Sequence, residues 1–441
     1  MVTVPGRASR DALGIWMNGQ HVGAWEQGKG TASLHYARAW IQSPQGRPLS
    51  LSLPFLPDGG VHRGAAVANY FENLLPDSDA IRRRIGQRVR ARSTRAFDLL
   101  WELGRDCAGA VQLVADGKAP DDAERIDCVA LTDHDVAHVL RGVTSVAALG
   151  QDGGDGFRLS LAGAQEKTAL LWHEGRWCRP LKATPTTHLF KLPLGLVGHM
   201  RADFASSVEN EWLCSELLHA FGLSIARTQV GVFEDQKALI VERFDRQPSA
   251  DGRWWIRQPQ EDLCQALGLP PERKYESDGG PGVVAVMDLL GRSEQPERDR
   301  QAFFTSQLLF WLLAAIDGHA KNFSLFIAAG GGFRLTPLYD VMSAYPVLGR
   351  GKNQLDPRAA KMAMAVVAAN KHYALTEIQP RHWAEMARRC GIEIDSVLGQ
   401  VLPKVSTVVE TVSRGLPDKF PASVSEPIFR GLLATARKLT A

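Results

Sequence analysis

The most apolar run of the chain, Leu308-Leu-Phe-Trp-Leu-Leu-Ala-Ala-Ile316, stops abruptly at Asp317 and gives way to Gly-His-Ala-Lys-Asn322. The run is far too short to span a bilayer and reads as a buried helix. This part of the chain is thereby committed to a helical core, and the polar loop behind it is held on a rigid support. Asp317, the amide of Asn322 five residues on, and the later pair Tyr339-Asp340 are the residue types of a phosphoryl-transfer site. The first acid can accept a proton from a hydroxyl, and the amide and second acid can hold Mg²⁺ against nucleotide phosphates. The Asp-to-Asn spacing is that of the protein-kinase catalytic loop, although no His-Arg precedes Asp317. By itself the spacing is common, and an Asp and an Asn also cap helices.

A chain of 441 residues, 45% hydrophobic and 22% charged, has room for two or three domains and a large core. Its net charge of +3 gives no global argument for nucleic acid or membrane, so any basic surface must be local. Cys107, Cys128, Cys178, Cys214, Cys264 and Cys390 are scattered without a C-x-x-C pair. That spacing speaks against a zinc site or a disulfide framework and fits a reducing cytoplasm. No signal peptide is expected, because the N-terminus lacks an apolar stretch and carries Pro5, Arg7 and Arg10.

Local patterns divide the chain. Ile15 to Val22 reads as two strands around an Asn18-Gly19 hairpin turn. Leu49-Ser-Leu-Ser-Leu53 alternates like a half-buried strand, Val67 to Leu74 reads as a helix, and residues 78–105 read as mostly helical. Residues 12–115 are taken as one α+β module. Residues 116–156, polar and Gly-rich at the end, are taken as a linker with a short helix near Asp133 to Val143. Strands are expected at Phe157–Leu161, Lys167–Trp172, His188–Leu192, Thr228–Phe233 and Ala238–Arg243, interrupted by a helix from Val208 to Phe221. Helices are expected at 260–267, 282–291, 298–316, 376–390, 395–412 and 424–438. The expected fold is thus α+β and bilobal: a β-rich nucleotide-binding lobe (157–245) behind an extra α+β module, then an α-helical catalytic lobe (246–441). A catalytic loop directly after a long apolar helix belongs in such an order.

Further residues fit the same chemistry, each with a plainer alternative. Lys191, at the end of a small-lobe strand, can neutralise nucleotide phosphates or can be a surface lysine. Glu209 and Glu211 on the next helix are both placed to orient it. Val241-Glu-Arg-Phe-Asp245 can be the interlobe connection, with backbone groups at Glu242 and Phe244 meeting an adenine edge, or a strand end before a turn. Ser160-Leu-Ala-Gly-Ala-Gln-Glu-Lys-Thr168 has small residues that allow backbone N–H groups to approach phosphates, and it also suits a hairpin turn. Lys321 can offset charge on a transferred phosphoryl group, and His319 supports the loop. Seven arginines between Arg82 and Arg95 form either a solvated helix face or a surface for DNA phosphates or an acidic partner.

Several runs resemble one family in order along nearly the whole chain, from about residue 14 to 435. They are Arg47-Pro-Leu-Ser-Leu-Ser-Leu-Pro54, Phe71-Glu-Asn-Leu-Leu-Pro-Asp-Ser78, Ala162-Gly-Ala-Gln-Glu-Lys-Thr-Ala-Leu170, Thr184-Pro-Thr-Thr-His188, Gln260-Glu-Asp-Leu-Cys-Gln265, Lys274-Tyr-Glu-Ser-Asp-Gly-Gly-Pro-Gly282, Asp317-Gly-His-Ala-Lys-Asn322 and Leu335-Thr-Pro-Leu-Tyr-Asp340. The chain resembles the HipA family, serine/threonine-kinase toxins of bacterial type II toxin–antitoxin pairs. The resemblance implies an ATP- and Mg²⁺-dependent protein kinase. It makes Asp317 the catalytic base, Asn322 and Asp340 metal ligands, and Lys191 the phosphate-binding lysine. The hinge would be Glu242, Arg243 and Phe244. The phosphate loop would be Ala162, Gly163, Ala164, Gln165, Glu166 and Lys167, and His319, Ala320, Lys321, Asn322 and Tyr339 would complete the nucleotide pocket. Ser160 matches the serine that family members autophosphorylate, which displaces the phosphate loop and silences the enzyme; a nearly dianionic group there would repel the nucleotide. The resemblance also implies an aminoacyl-tRNA synthetase target, glutamyl-tRNA synthetase in the best-known case, with dormancy and antibiotic tolerance as the outcome. It implies a small helix-turn-helix antitoxin of the HipB type that brings the toxin to operator DNA, with Arg381 and Arg388 as candidates for added DNA contacts. Departures lie at 115–150 and 349–358. A catalytically silent module that sequesters antitoxin or DNA, and a small-molecule kinase of related fold, are the alternative readings.

Overall fold

A computed structural model of the chain describes residues 11–28, 31–115, 117–144, 165–198 and 201–440. The N-terminal module is built on β1 (Ala12–Met17), β2 (Gln20–Gly28), β3 (Thr31–Tyr36), β4 (His62–Arg63) and β5 (Val111–Ala115), in the order β4-β3-β2-β1-β5. Asn18 and Gly19 both have positive φ, 46° and 77°, which a two-residue hairpin needs to match strand twist. Leu13, Ile15 and Met17 point into the core from β1, and Trp25 stacks on Phe71 of the helix Ala65–Glu72 at 3.8 Å.

Leu49 to Leu53 is not a strand. Leu49 and Leu53 are buried in the module as the alternation requires, but the polar side meets the other lobe. Ser50 and Ser52 Oγ donate to the Gln265 carbonyl at 3.0 and 2.7 Å, and the Leu51 N–H donates to Glu261 Oε1 at 2.8 Å. Side chains and carbonyls of the distant lobe thus take the place of a neighbouring strand.

The small lobe carries one antiparallel sheet of β6 (Cys128–Ala130), β7 (Lys167–His173), β8 (Arg176–Pro180) and β9 (His188–Lys191). A short hairpin, β10 (Gly195–Val197) and β11 (Ala202–Phe204), follows, and β12 (Thr228–Phe233) and β13 (Gln236–Glu242) complete the sheet in the order β12-β13-β9-β7-β8-β6. Residues 116–156 are therefore not simply a linker, because β6 forms one edge of this sheet. The helix Asp133–Val143, started by a Thr132/Asp135 capping box, buries Val136, Ala137 and Leu140 against Leu170, Phe190 and Ile240. The strand β8 was not anticipated, and the strand expected at Phe157–Leu161 lies outside the described residues.

The helix Ser207–Phe221 is buried on nearly every side. Val208 packs on Leu239 and Val241 of the small lobe, while Leu213, Leu217 and Leu218 enter the core of the large lobe. The large lobe is helical, with Val283–Leu290, Pro296–Leu312, Pro380–Arg389, Ile394–Val401, Val405–Arg414 and Ala422–Thr440 around one apolar core. Short antiparallel ladders are added to it: β14 (Arg246–Pro248) with β15 (Trp255–Arg257), β16 (Gln260–Asp262) with β17 (Ser324–Ile327) and β18 (Phe333–Leu335), and β19 (Lys361–Val367) with β20 (Lys371–Ala374). The segment 260–267 is thus part strand and part helical turn. Its strand pairs with β17 at the exit of the Asp317–Asn322 loop, which clamps that loop between a buried helix and a sheet. The fold is α+β and bilobal, of the protein-kinase type.

Candidate active site

Lys191 ends β9 directly opposite Lys167 of β7 and Leu239 of β13. Its ammonium is buried and donates to Glu211 Oε1 at 2.6 Å and to Asp340 Oδ1 at 2.9 Å. Of the two glutamates left open by sequence, Glu211 is the partner; Glu209 pairs with Lys237. One cation between two carboxylates leaves an excess of negative charge, and Lys167 stands beside it. Burial and the Lys191 charge lower the Lys167 amine to about 8. Burial works against the Lys191 ammonium, but Asp340 and Glu211 outweigh it and push the Lys191 pKa upward. Asp340 is driven well below the usual carboxylate range, because Lys191 and Lys167 outweigh its burial. Glu211, in contrast, is raised to about 7 by burial, with Lys191 opposing and Asp340 adding. Asp340 also sits at φ 61°, a left-handed conformation that Asp tolerates better than most residues.

The loop that carries Asp317 packs tightly on its supporting helix. A Cβ at Gly318 would lie 2.6 Å from the Phe310 ring, so only glycine fits there. Asp317 is half exposed, with its carboxylate reachable by a substrate. Asn322 Nδ2 donates to the Asp317 carbonyl at 2.7 Å, which leaves the amide oxygen as the atom able to ligate a cation. His319 packs edge-on against Tyr275 at 4.9 Å, and burial lowers its pKa. Its buried Nδ1 has no hydrogen-bond partner among the described residues. The Tyr275 hydroxyl donates to Asp317 Oδ1 at 2.5 Å.

Two oxygen donors, Asn322 and Asp340, suit a hard cation such as Mg²⁺. The Lys167–Lys191 pair suits phosphates, and the orphaned His319 nitrogen is an atom that a bound ligand can satisfy. The residues present therefore fit a metal-nucleotide. Phe244 lies 5.7 Å from Tyr339 and perpendicular to Phe326, so the interlobe connection meets the 339–340 segment through aromatic rings. The Tyr339 hydroxyl donates to the Lys321 carbonyl at 2.9 Å. The Glu242 N–H donates to Arg227. Gln165 Nε2 donates to the Leu192 carbonyl, which anchors the end of the expected phosphate loop just past β9. Ser160, Ala162, Gly163 and Ala164 lie outside the described residues.

Three expected nucleotide contacts are engaged elsewhere. Arg243 faces away from the cleft, fully buried, and binds Asp245, Asp106, Thr186 and the Cys107 carbonyl. With Arg246 and Arg257 it closes an ionic junction between the N-terminal module and both lobes. Lys321 is buried against Asp77 at 2.7 Å rather than directed at a phosphoryl group. The Ala320 N–H is committed to the Lys274 carbonyl at 3.0 Å. The arginine run is also not simply a solvated face: Arg82 binds Glu72, Arg84 binds Glu166, and Arg88 reaches the Gly142 carbonyl. Sequence reasoning missed the roles of Tyr275, Lys274, Asp77 and Asp106. The Lys274-Tyr-Glu-Ser-Asp run was a signal without a role, since nothing local tells what its side chains meet.

The profile of the HipA-like C-terminal domain matches residues 159–417, and that of the HipA N-terminal domain matches residues 13–114. The chain belongs to the HipA family. It is 33% identical over 411 residues to "Putative kinase Y4mE" of Sinorhizobium fredii, covering 92% of each chain. It is 27% identical over 325 residues to the serine/threonine-protein kinase toxin HipA of Shewanella oneidensis, covering 71% of this chain and 70% of that one. Among solved structures, HipA of Shewanella oneidensis MR-1, determined with HipB and its operator DNA, superposes with a TM-score of 0.78. The overlap covers 97% of both chains at 22% identity, which speaks to the fold. This HipA-family chain is thus a kinase by descent, and Lys191, Glu211, Asp317 and Asp340 are all present. Among the described residues no helix is long and apolar enough to cross a membrane.

Proposed function

We propose that this chain is the toxin of a type II toxin–antitoxin pair, a cytoplasmic ATP- and Mg²⁺-dependent protein serine/threonine kinase that phosphorylates a translation protein and arrests growth. The observation that carries this is the buried Lys191–Glu211–Asp340 cluster, which is assembled from β9, the Ser207–Phe221 helix and the segment after the catalytic loop. Glu211 orients the Lys191 ammonium toward the nucleotide phosphates. Asn322 and Asp340 would hold Mg²⁺, which when bound would supply positive charge against the phosphates. Asp317 accepts the proton of the attacking hydroxyl. Phe244 and Tyr339 offer apolar faces to the adenine, with Glu242 and Phe244 backbone at its edge.

An aminoacyl-tRNA synthetase, in particular glutamyl-tRNA synthetase, is the protein target that the family resemblance favours, with persistence and antibiotic tolerance as the consequence. The likeness to the toxin solved with HipB and operator DNA favours a HipB-like helix-turn-helix antitoxin and DNA reached through it. Ser160 is the site of self-inactivation. The test is γ-phosphate transfer from ATP with Mg²⁺ to the full chain. Label is expected on Ser160, and Asp317→Gln should lower the rate by a factor on the order of 100. Absence of transfer from intact protein that binds ATP would overturn the kinase reading.

A further inference from the structure

The N-terminal module touches the catalytic loop at one charged point. Asp77 follows Pro76, just before the helix Asp79–Arg88, and lies largely buried. Its Oδ1 accepts from Lys321 Nζ at 2.7 Å, and its Oδ2 accepts from Lys274 Nζ at 2.7 Å. Lys321 belongs to the catalytic loop itself, two residues after His319 and one before Asn322. Lys274 belongs to a different segment, whose carbonyl receives the Ala320 N–H and whose next residue, Tyr275, donates to the Asp317 carboxylate. One carboxylate therefore joins both walls around the base.

We infer that Asp77 is a positioning residue for phosphoryl transfer, so that the N-terminal module is a working part of the active site. This rests on the kinase reading of the same site. Asp77 touches neither Asp317 nor the proposed nucleotide position; it acts through Lys321 and through Lys274–Tyr275. Its charge is the element that matters. Both lysines are mostly buried, and among the described residues Lys321 has the Asn73 carbonyl, at 3.4 Å, as its one other acceptor. Without the carboxylate two ammonium groups would face each other across the loop and repel. Burial raises the Asp77 pKa, but Lys321 and Lys274 outweigh it and hold the carboxyl down at about 2. The surrounding seam is independent of it. Asn69 and Asn73 bind the Gly268 and Leu269 carbonyls, and Gln265 binds the Tyr70 carbonyl, so the module stays docked when Asp77 is neutralised.

The experiment uses the full chain with Asp77→Asn, Asp77→Glu and Lys274→Met. Self-labelling from ATP and Mg²⁺ is followed at varied ATP, together with amide hydrogen exchange of residues 317–322 and of the remote helix Val405–Arg414. In Asp77→Asn the maximal rate should fall by about tenfold to a hundredfold, the scale of a small misplacement of reacting groups. The half-saturating ATP concentration should stay within about threefold, because nucleotide contacts are untouched. Exchange at Ala320 should accelerate while the remote helix is unchanged, and Asp77→Glu should restore part of the rate. If Asp77→Asn does not fold, Lys274→Met, which removes one arm of the tie, is read in the same way. A maximal rate within about twofold of wild type, or exchange that rises equally everywhere, overturns the proposal. A wild-type chain that transfers no phosphate overturns the kinase reading instead, while the Ala320 exchange still reports on the tie.

Discussion

Glu261 gives the sharpest stability prediction, because among the described residues it is a buried acid without a cation. It lies in β16, 1% exposed, at the seam between the N-terminal module and the large lobe. Oε1 accepts from the Leu51 N–H, while Oε2 is buried with no partner among the described residues. Burial raises its pKa, the neighbouring Ser50 hydroxyl and the Leu51 N–H oppose this, Asp262 adds to it, and the carboxyl is pushed up to about 8. The unfolded chain ionises Glu261 near the ordinary value of 4.5, so above that pH the folded state holds a proton that the unfolded state has released. Stability from this group is complete below about pH 4.5 and is lost progressively as pH rises to about 8. At about 1.4 kcal/mol per pH unit, the loss is roughly 3 kcal/mol by pH 7 and roughly 4 by pH 8. Glu261→Gln keeps the shape and the acceptor for Leu51 but cannot ionise. The variant and the wild type should therefore unfold alike in urea at pH 4.5, and the variant should be more stable by roughly 3 kcal/mol at pH 7. Asp262 is raised to about 6 by burial and titrates in both proteins, so it cancels in the comparison. Superimposable pH profiles for the two proteins would refute the reasoning, because they would mean that Glu261 is already ionised in the folded chain.

Two further predictions concern the site and its surroundings. Glu211→Gln should lower the rate of phosphate transfer by about tenfold or more, since it removes the carboxylate charge that orients Lys191, whereas Glu209→Gln, whose partner Lys237 is half exposed, should leave the rate within about twofold. Initial rates of label incorporation separate the two, and equal effects would contradict the assignment. Arg243→Met should destabilise the chain by roughly 3 kcal/mol, because it removes one of the buried cations that balance Asp245 and Asp106 and leaves Arg246 and Arg257 to carry both. In protein that remains folded the half-saturating ATP concentration should not change, as thermal melts and ATP titration would show together.

The parts of this molecule that were legible in sequence are those written in consecutive residues. The apolar run before Asp317, the Asn18-Gly19 turn and the helix from Asp133 to Val143 each declare themselves by local spacing; the last two are found where they were expected, and the apolar run is buried but leaves the helix at Leu312, four residues before the expected end. Lys191 and Asp340 carry only residue type and order, yet these sufficed to suggest a site, and the fold brings them to 2.9 Å. What was not legible is partnership across the chain. Lys321 has the type and place of a phosphate ligand, and Arg243 those of a hinge residue. Their engagement depends on Asp77 and Asp106, which stand 244 and 137 positions away in a different module. A buried cation is acceptable only where a carboxylate meets it, and no periodicity records such a meeting. The same reason explains Leu49 to Leu53, whose alternation is real but whose second face binds Glu261 and Gln265 instead of solvent. Errors of this kind are not scattered at random. They fall on the seam between the N-terminal module and the kinase lobes, which is where the chain departs from a kinase made of two lobes alone. Residues misread there as nucleotide ligands are the ones through which the third module reaches the catalytic loop.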